Sequence, residues 1–181
     1  KSKSHKSNKL FFFYGWFFGF GYFISNLYWI SISLTFDQNF KFLIPLTLIL
    51  IPSFLAIFYG LITFIFIILK PAKIINSFLI FSLIFGILEF IRGSILTGFP
   101  WNLIAYSFSN QLEILSITSF IGTYGLNLLC ISLFTSPATL ILRDKNKELG
   151  IIIFFLTAFF FFYIYGYFYN EYFDIFFVNI F

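Results

Sequence analysis

Polar residues are scarce along this chain and come in clumps. Between the clumps run five long apolar segments, near residues 10–34, 42–69, 74–91, 114–142 and 150–169. Each reaches or approaches the roughly 20 residues that a helix needs to cross a hydrocarbon core of about 30 Å. The pattern predicts an all-α polytopic membrane protein with about five transmembrane helices, a fragment of a larger helical bundle, the bundle occupying residues 10–169. Residues 1–9 (KSKSHKSNK) are basic, polar and without apolar periodicity. They read as a cytoplasmic flank beside the first helix and not as a secretory signal, because the apolar run that follows is too long for one. Residues 142–150 (LRDKNKELG) form a polar hinge between the last two segments.

Within the segments, Pro45 and Pro52 are expected to kink the second helix, which a bilayer helix tolerates when neighbours satisfy the freed carbonyls. Gly15 and Gly19 make a G-x-x-x-G, and Ala56 with Gly60 a looser version, at the spacing that lets helices approach closely. The tail 170–181 (NEYFDIFFVNIF) begins polar and then gives a short apolar run of strand length. Two readings stand for it: the first strand of a domain that has been cut off, or an interfacial aromatic belt.

Composition agrees with the pattern. Hydrophobic residues make up 60% of the chain and charged residues 10%, against roughly 25% charged in a soluble domain. So few charges cannot cover a protein's surface against water. The 33 Phe are what AT-rich codon usage would supply, and no aromatic cofactor site is read into them. The chain contains no Met and opens on Lys1, as a piece of a longer protein would.

Charge placement gives an orientation. With the N-terminal flank in the cytoplasm and one crossing per segment, the inside receives Lys1, Lys3, Lys6, Lys9, Lys70, Lys73, Arg143, Lys145 and Lys147. The outside receives Lys41 and Arg92. Nine against two is a strong positive-inside bias. It puts the 92–113 stretch and the C-terminal tail outside the cytoplasm.

Little here carries chemistry. A Ser-His-acid triad needs a His in a structured site, and the one His, His5, lies in the flank. No cluster has metal-ligand spacing, so no metal residue and no cofactor is assigned. The single Cys, Cys130, lies in an apolar run (LNLLCISLF), where a thiolate is disfavoured and a small packing residue is the plain reading. With one Cys no internal disulfide forms. No nucleic-acid partner is implied.

One stretch stands out: LEFIRGSILTGFPWNLIAYS, residues 88–107. Glu89 and Arg92 are three apart, so on a helix they share a face and pair. Either one alone in hydrocarbon would cost roughly 2.5–3.5 kcal/mol on insertion scales. Gly93 loosens the helix end, and Thr97-Gly98-Phe99-Pro100-Trp101 has the composition of a turn, with Phe99 held extended by the following proline. Trp101 and Tyr106 suit the headgroup level. Two readings remain open: an anchored loop on a capped helix end, or a lipid-facing rim where Arg92 meets a phosphate and aromatics flank an acyl chain. The candidate residues are Glu89, Arg92, Gly98, Phe99, Pro100, Trp101 and Tyr106.

The same stretch closely resembles the E-[FW]-[LI]-R-G…T-G-F-P-W…Y-S signature of bacterial apolipoprotein N-acyltransferases. FFFYGWFFGFGYFISNLYWISISL resembles that family's G-x-x-F-G-x-G-x-F…L-Y-W-I helix. FIGTYGLNLL resembles its I-x-G-x-Y-G-L-[ST]-F-L segment, with Asn127 where a small hydroxyl residue is usual. The motifs occur in the family's order, and the resemblance covers about residues 10–169.

The resemblance implies transfer of an acyl chain from a phospholipid donor to the free α-amino group of a lipoprotein's N-terminal diacylglyceryl-Cys, the last step of lipoprotein maturation. It implies a ping-pong route through a thioester on a catalytic Cys, the logic of an activated nucleophile. That Cys, with a Glu and a Lys, belongs to a periplasmic nitrilase-like domain of the family. None of the three carries over, since Glu89 and Cys130 do not match those positions. The chain is therefore expected to be the membrane part alone, without catalytic residues and inactive by itself. Two other readings are a non-catalytic remnant of a split or decaying gene that still inserts, and a small membrane transporter. A transporter usually marks its path with intramembrane charges or broken helices, and here the 89–92 pair alone qualifies.

Overall fold

The computed structural model describes residues 2–95, 100–141 and 147–178, and all regular structure among them is helical. The elements are α1 (Ser2–Leu27), α2 (Ile30–Ser33), a 3-10 turn at Gln38–Leu43, α3 (Ile44–Leu69), α4 (Ile74–Ser94), a second 3-10 turn at Ile104–Phe108, α5 (Leu112–Leu115), α6 (Thr118–Thr135), α7 (Ala138–Ile141) and α8 (Lys147–Val178). Among the described residues five stretches are long and apolar enough to cross a membrane: Asn8–Leu27, Gln38–Leu69, Ile74–Ser94, Thr118–Ile141 and Leu149–Tyr172. The protein is an all-α polytopic membrane protein.

The boundaries differ from the apolar segments for identifiable reasons. The polar flank is drawn into α1, because extending an existing helix adds a hydrogen bond per residue and lysine is a good helix former. The same first segment stops early, at Leu27. Beyond it the hydroxyls of Ser31, Ser33 and Thr35 donate to the carbonyls three residues back, at 2.6, 2.6 and 2.7 Å, a local bonding that competes with a regular helix. Pro45 sits in the first turn of α3, where its missing N–H is harmless, and Pro52 lies buried inside the same helix. Lys70, in the left-handed region at φ 42°, ends α3 before Pro71.

The fourth segment divides into α5, α6 and α7. Inside α6, Gly122 takes φ 72° and ψ 167°, a conformation essentially restricted to glycine, and the helix kinks there. The last segment extends as α8 through Val178, in helix where the tail had the length and residues of a strand. A short apolar run fits either state by periodicity alone. The 143–146 part of the polar hinge, with Leu142, lies outside the described residues.

The chain forms two compact units, residues 1–71 with 87–102, and residues 72–86 with 103–181. In the first, α1 lies directly on α3, and the small residues are the reason. A Cβ at Gly19 would come within 2.7 Å of Tyr59 Cβ and 3.2 Å of Ala56 Cα, and one at Gly15 would overlap Thr63 and the Tyr59 carbonyl. Across the same contact Thr63 Oγ1 donates to the Phe11 carbonyl at 2.7 Å and Trp16 Nε1 to the Ser53 carbonyl at 3.0 Å.

In the second unit Ala105, Ile114, Leu126, Cys130 and Phe159 form the core. Phe108 stacks on Phe134 with centroids 5.9 Å apart and touches Phe159 at 5.3 Å. Gly166 of α8 lies against the Glu113 carbonyl of α5, with no room for a side chain. Ser116 Oγ donates to Asn170 Oδ1 at 2.8 Å.

Candidate functional site

The first unit brings the end of α4 together with α1, α3 and the loop that carries Pro100, Trp101 and Asn102. Glu89 and Arg92 lie one helical turn apart in α4, so both project from the same face. Both are 1% exposed. The guanidinium meets the carboxylate as a fork, Nη2 to Oε2 at 2.8 Å and Nε to Oε1 at 3.1 Å. Such bidentate, charge-assisted pairing gives fixed geometry as well as energy, and it resolves the cost of two charges at membrane depth.

The fork leaves Arg92 Nη1 aimed away from Glu89, and it donates to the carbonyl of Trp101 at 3.0 Å. Arg92 Cζ also stands 5.2 Å from the ring centroid of Phe23 in α1, within cation–π range. The next carbonyl, that of Asn102, accepts from the Tyr22 hydroxyl of α1 at 3.0 Å. Two consecutive loop carbonyls are thus held by two different helices. Asn102 itself has φ 58°, a left-handed position that asparagine tolerates better than most residues. Tyr59 of α3 packs its ring on Tyr22 at 5.8 Å, and its hydroxyl lies in the electrostatic reach of Glu89.

Held by its backbone, Trp101 keeps its ring at the surface, 47% exposed. It stacks on Trp29 with centroids 5.2 Å apart and planes 24° from parallel. Next to the clamp, Leu50, Ile51, Phe54, Leu55 and Phe58 of α3 line a cleft of about 440 Å³ closed by Ile95 and Arg92. Its walls are aliphatic and aromatic, and its one charged neighbour is Arg92.

Of the residues singled out by sequence, Glu89, Arg92, Pro100 and Trp101 belong to this unit. Gly98 and Phe99, with Thr97, lie outside the described residues. Tyr106 belongs to the second unit, in the 3-10 turn, 43% exposed. Asn127 is buried in α6, where its Oδ1 accepts the Ala105 backbone N–H at 3.0 Å and fixes the start of that turn. Cys130 is fully buried. Among the described residues no three His, Cys, Asp or Glu side chains gather as a metal site would require.

Sequence reading did not single out Tyr22, Phe23, Trp29, Tyr59 or Asn102. In a chain with 33 Phe and 11 Tyr, no aromatic announces itself as a partner of a charge. The usable signal was the converse one: a buried ion pair needs its remaining donors satisfied, which calls for polar groups on the helices that pack against it.

The family model of the apolipoprotein N-acyltransferase N-terminal domain matches residues 2–136. The apolipoprotein N-acyltransferase of Rhodopseudomonas palustris is 40% identical over 136 residues, which is 74% of this chain and 25% of that protein. Its counterpart in Brucella melitensis is 38% identical over 127 residues, 70% of this chain and 24% of that protein. That of Rickettsia prowazekii is 38% identical over 141 residues, 77% and 28%. The chain spans about a quarter of the length of the curated relatives it matches.

Proposed function

Because the chain belongs to the apolipoprotein N-acyltransferase N-terminal domain family, we propose that it forms the lipid-holding membrane part of an enzyme that acylates lipoproteins. The acyl donor is a phospholipid, the acceptor the α-amino group of a lipoprotein's N-terminal diacylglyceryl-Cys. On this reading the N-terminus and the 70–73 and 143–148 loops are cytoplasmic, the 92–113 stretch lies on the periplasmic side, and residues 170–181 lead toward a nitrilase-like domain. The nucleophile and its Glu and Lys partners are supplied outside these 181 residues. What the chain contributes is position.

The observation that supports the reading is the cleft of about 440 Å³ beside Arg92. Its apolar walls suit an acyl chain, which gains roughly 0.8 kcal/mol per buried CH₂ relative to water. Hydrocarbon offers the chain the same solvation, so the gain from the cleft is orientation and not affinity. Arg92 serves the site through the backbone it holds. Its contacts to Glu89 and the Trp101 carbonyl favour the fixed-loop reading of the 88–107 stretch, with Trp101 and Trp29 as the aromatic rim.

The test is a graft. Residues 2–136 replace the matched segment of the Rhodopseudomonas palustris protein, and transfer of a labelled acyl chain from phospholipid to a diacylglyceryl-Cys peptide is measured. The graft is expected to transfer, and Trp101→Ala in it to lose more activity than protein. A graft that inserts stably but is inert would overturn the reading. Activity that merely followed protein amount would remove Trp101 from the rim and leave it an anchor.

A further inference from the structure

The backbone of the first unit is strained at Asn102. Its φ of 58° is left-handed, a state that a residue with a side chain keeps only where its surroundings hold it. Among the described residues Lys70 is the other non-glycine at positive φ, and it ends a helix. Asn102 ends none. Its Nδ2 is buried and makes no hydrogen bond among the described residues, so that nitrogen offsets nothing. The hold comes from the peptides on either side. The Trp101 carbonyl accepts from Arg92 Nη1, and the Asn102 carbonyl from the Tyr22 hydroxyl, each at 3.0 Å.

Neighbouring rings set the direction of the Tyr22 hydroxyl. The phenol stacks on Tyr59, centroids 5.8 Å apart and planes 22° from parallel, and meets Phe23 edge-on at 5.3 Å. Phe23 is fully buried, and the Arg92 guanidinium stands 5.2 Å over its ring. Adjacent residues of α1 therefore bear on both holds. The same segment of chain goes on to Trp29, whose indole stacks on Trp101 at 5.2 Å. Both indoles stay about half exposed. A loop fixed for packing alone would turn its largest ring inward, where burial gains most. Here backbone strain and donors from two helices fix the angle of a ring that packing uses only in part, as the support of a ligand contact does.

We propose that Tyr22 is a positioning residue for the Trp29–Trp101 pair: its hydroxyl, through the Asn102 carbonyl, keeps Asn102 left-handed and so sets the angle at which Trp101 meets a bound lipid. The contact with lipid rests on the acyl-transfer reading, in which this pair is the rim of the cleft; the hold on the ring does not. Without the hydroxyl the Asn102 carbonyl loses its donor, Asn102 relaxes, and Trp101 turns about Arg92, the anchor that is left. Lipid then meets a rim with several ring positions in place of one. The rim touches substrate and not the reacting atoms, so the loss falls on ground and transition state alike, raising KM and sparing kcat. Tyr22→Phe should raise KM for phospholipid about fivefold, the worth of a single hydrogen bond.

Two measurements separate the hold on the ring from its use. In the first, the full 181-residue chain carries fluorotryptophan at its three Trp and is read in lipid nanodiscs by fluorine NMR. Trp29→Phe and Trp101→Phe assign the signals. In Tyr22→Phe the Trp29 and Trp101 signals should move together, while Trp16, whose indole donates to the Ser53 carbonyl at 3.0 Å, stays in place. Helicity should not change, since Phe keeps the ring that stacks on Tyr59. The second measurement is the kinetics of the graft of residues 2–136 in the Rhodopseudomonas palustris protein. There Tyr22→Phe should raise KM at constant kcat, and Tyr28→Phe, at an exposed tyrosine of the same stretch, should change neither. Trp29 and Trp101 signals unmoved by Tyr22→Phe would overturn the proposal. So would a Tyr22→Phe graft whose kcat falls at constant KM, the pattern of fewer folded molecules. A graft inert before any substitution would overturn the acyl-transfer reading and the lipid contact with it, and the NMR result would still decide whether Tyr22 sets the ring.

Discussion

Arg92 and Trp101 are joined across nine residues by a hydrogen bond of 3.0 Å from guanidinium to backbone carbonyl. The link works because Glu89 has already fixed the guanidinium plane through its fork. A side chain with fewer donors, such as lysine, could not serve the carboxylate and the carbonyl in fixed directions at once.

A first prediction concerns that pair. Glu89→Leu leaves Arg92 buried without its counter-charge and should lower stability by about 3–5 kcal/mol, the range for breaking a buried ion pair from one side. Glu89→Leu combined with Arg92→Leu removes both charges and should recover most of the loss. The measurement is the midpoint of SDS-induced unfolding by circular dichroism. If the double variant unfolds as easily as the single one, the Trp101 link and not charge balance dominates.

The contact of α1 with α3 gives a second. Gly15→Val and Gly19→Val must push α3 away, an overpacking cost of typically 1–3 kcal/mol. Gly21→Val, where nothing lies within 4 Å of an added Cβ, should be neutral or better by the same measurement. Equal effects at all three positions would mean that the close approach does not determine stability.

Why these features were visible in the sequence to different degrees follows from the solvent. Apolar length marks a membrane helix without any tertiary information, so the five helices long enough to cross could be read directly. G-x-x-x-G at 15 and 19 and the i, i+3 spacing of Glu89 and Arg92 are local patterns, and both occur as contacts. Helix ends are different. Whether Leu27 or Leu34 ends the first segment depends on hydroxyls that donate to carbonyls three residues back, and apolar pattern is blind to it. The partners Tyr22 and Asn102 are 80 residues apart, and no periodicity reports a pair so distant. Gly122 lies within the FIGTYGLNLL motif, but its positive φ is a property of the backbone that a single sequence does not display.

The orientation proposed from charge is open to labelling. In a Cys130→Ser background, Ser109→Cys should react with a membrane-impermeant maleimide added to intact spheroplasts. Lys145→Cys should react only after permeabilisation. The nine-to-two distribution of Lys and Arg is the basis, since basic loops are retained in the cytoplasm. Reaction of Lys145→Cys alone would reverse the orientation.

The last prediction is that this chain, expressed by itself, inserts into a membrane but transfers no acyl group. Thioester chemistry needs a thiolate that substrate can reach and that neighbouring cations or donors stabilise. The single thiol of the chain, Cys130, is fully buried in α6 among Ala105, Ile114, Leu126 and Phe159. It lies inside a span that is apolar enough to cross a membrane. That packing admits no lipid carbonyl to the sulfur. The buried carboxylate of Glu89, in the other unit, is engaged by Arg92 on both oxygens. The purified chain is incubated with radiolabelled phospholipid, and protein-bound label is measured before and after hydroxylamine, which cleaves thioesters. No label above background is expected. A stoichiometric, hydroxylamine-sensitive adduct that Cys130→Ser abolishes would show that the helix opens enough to expose the thiol, and would place the chemistry within this chain.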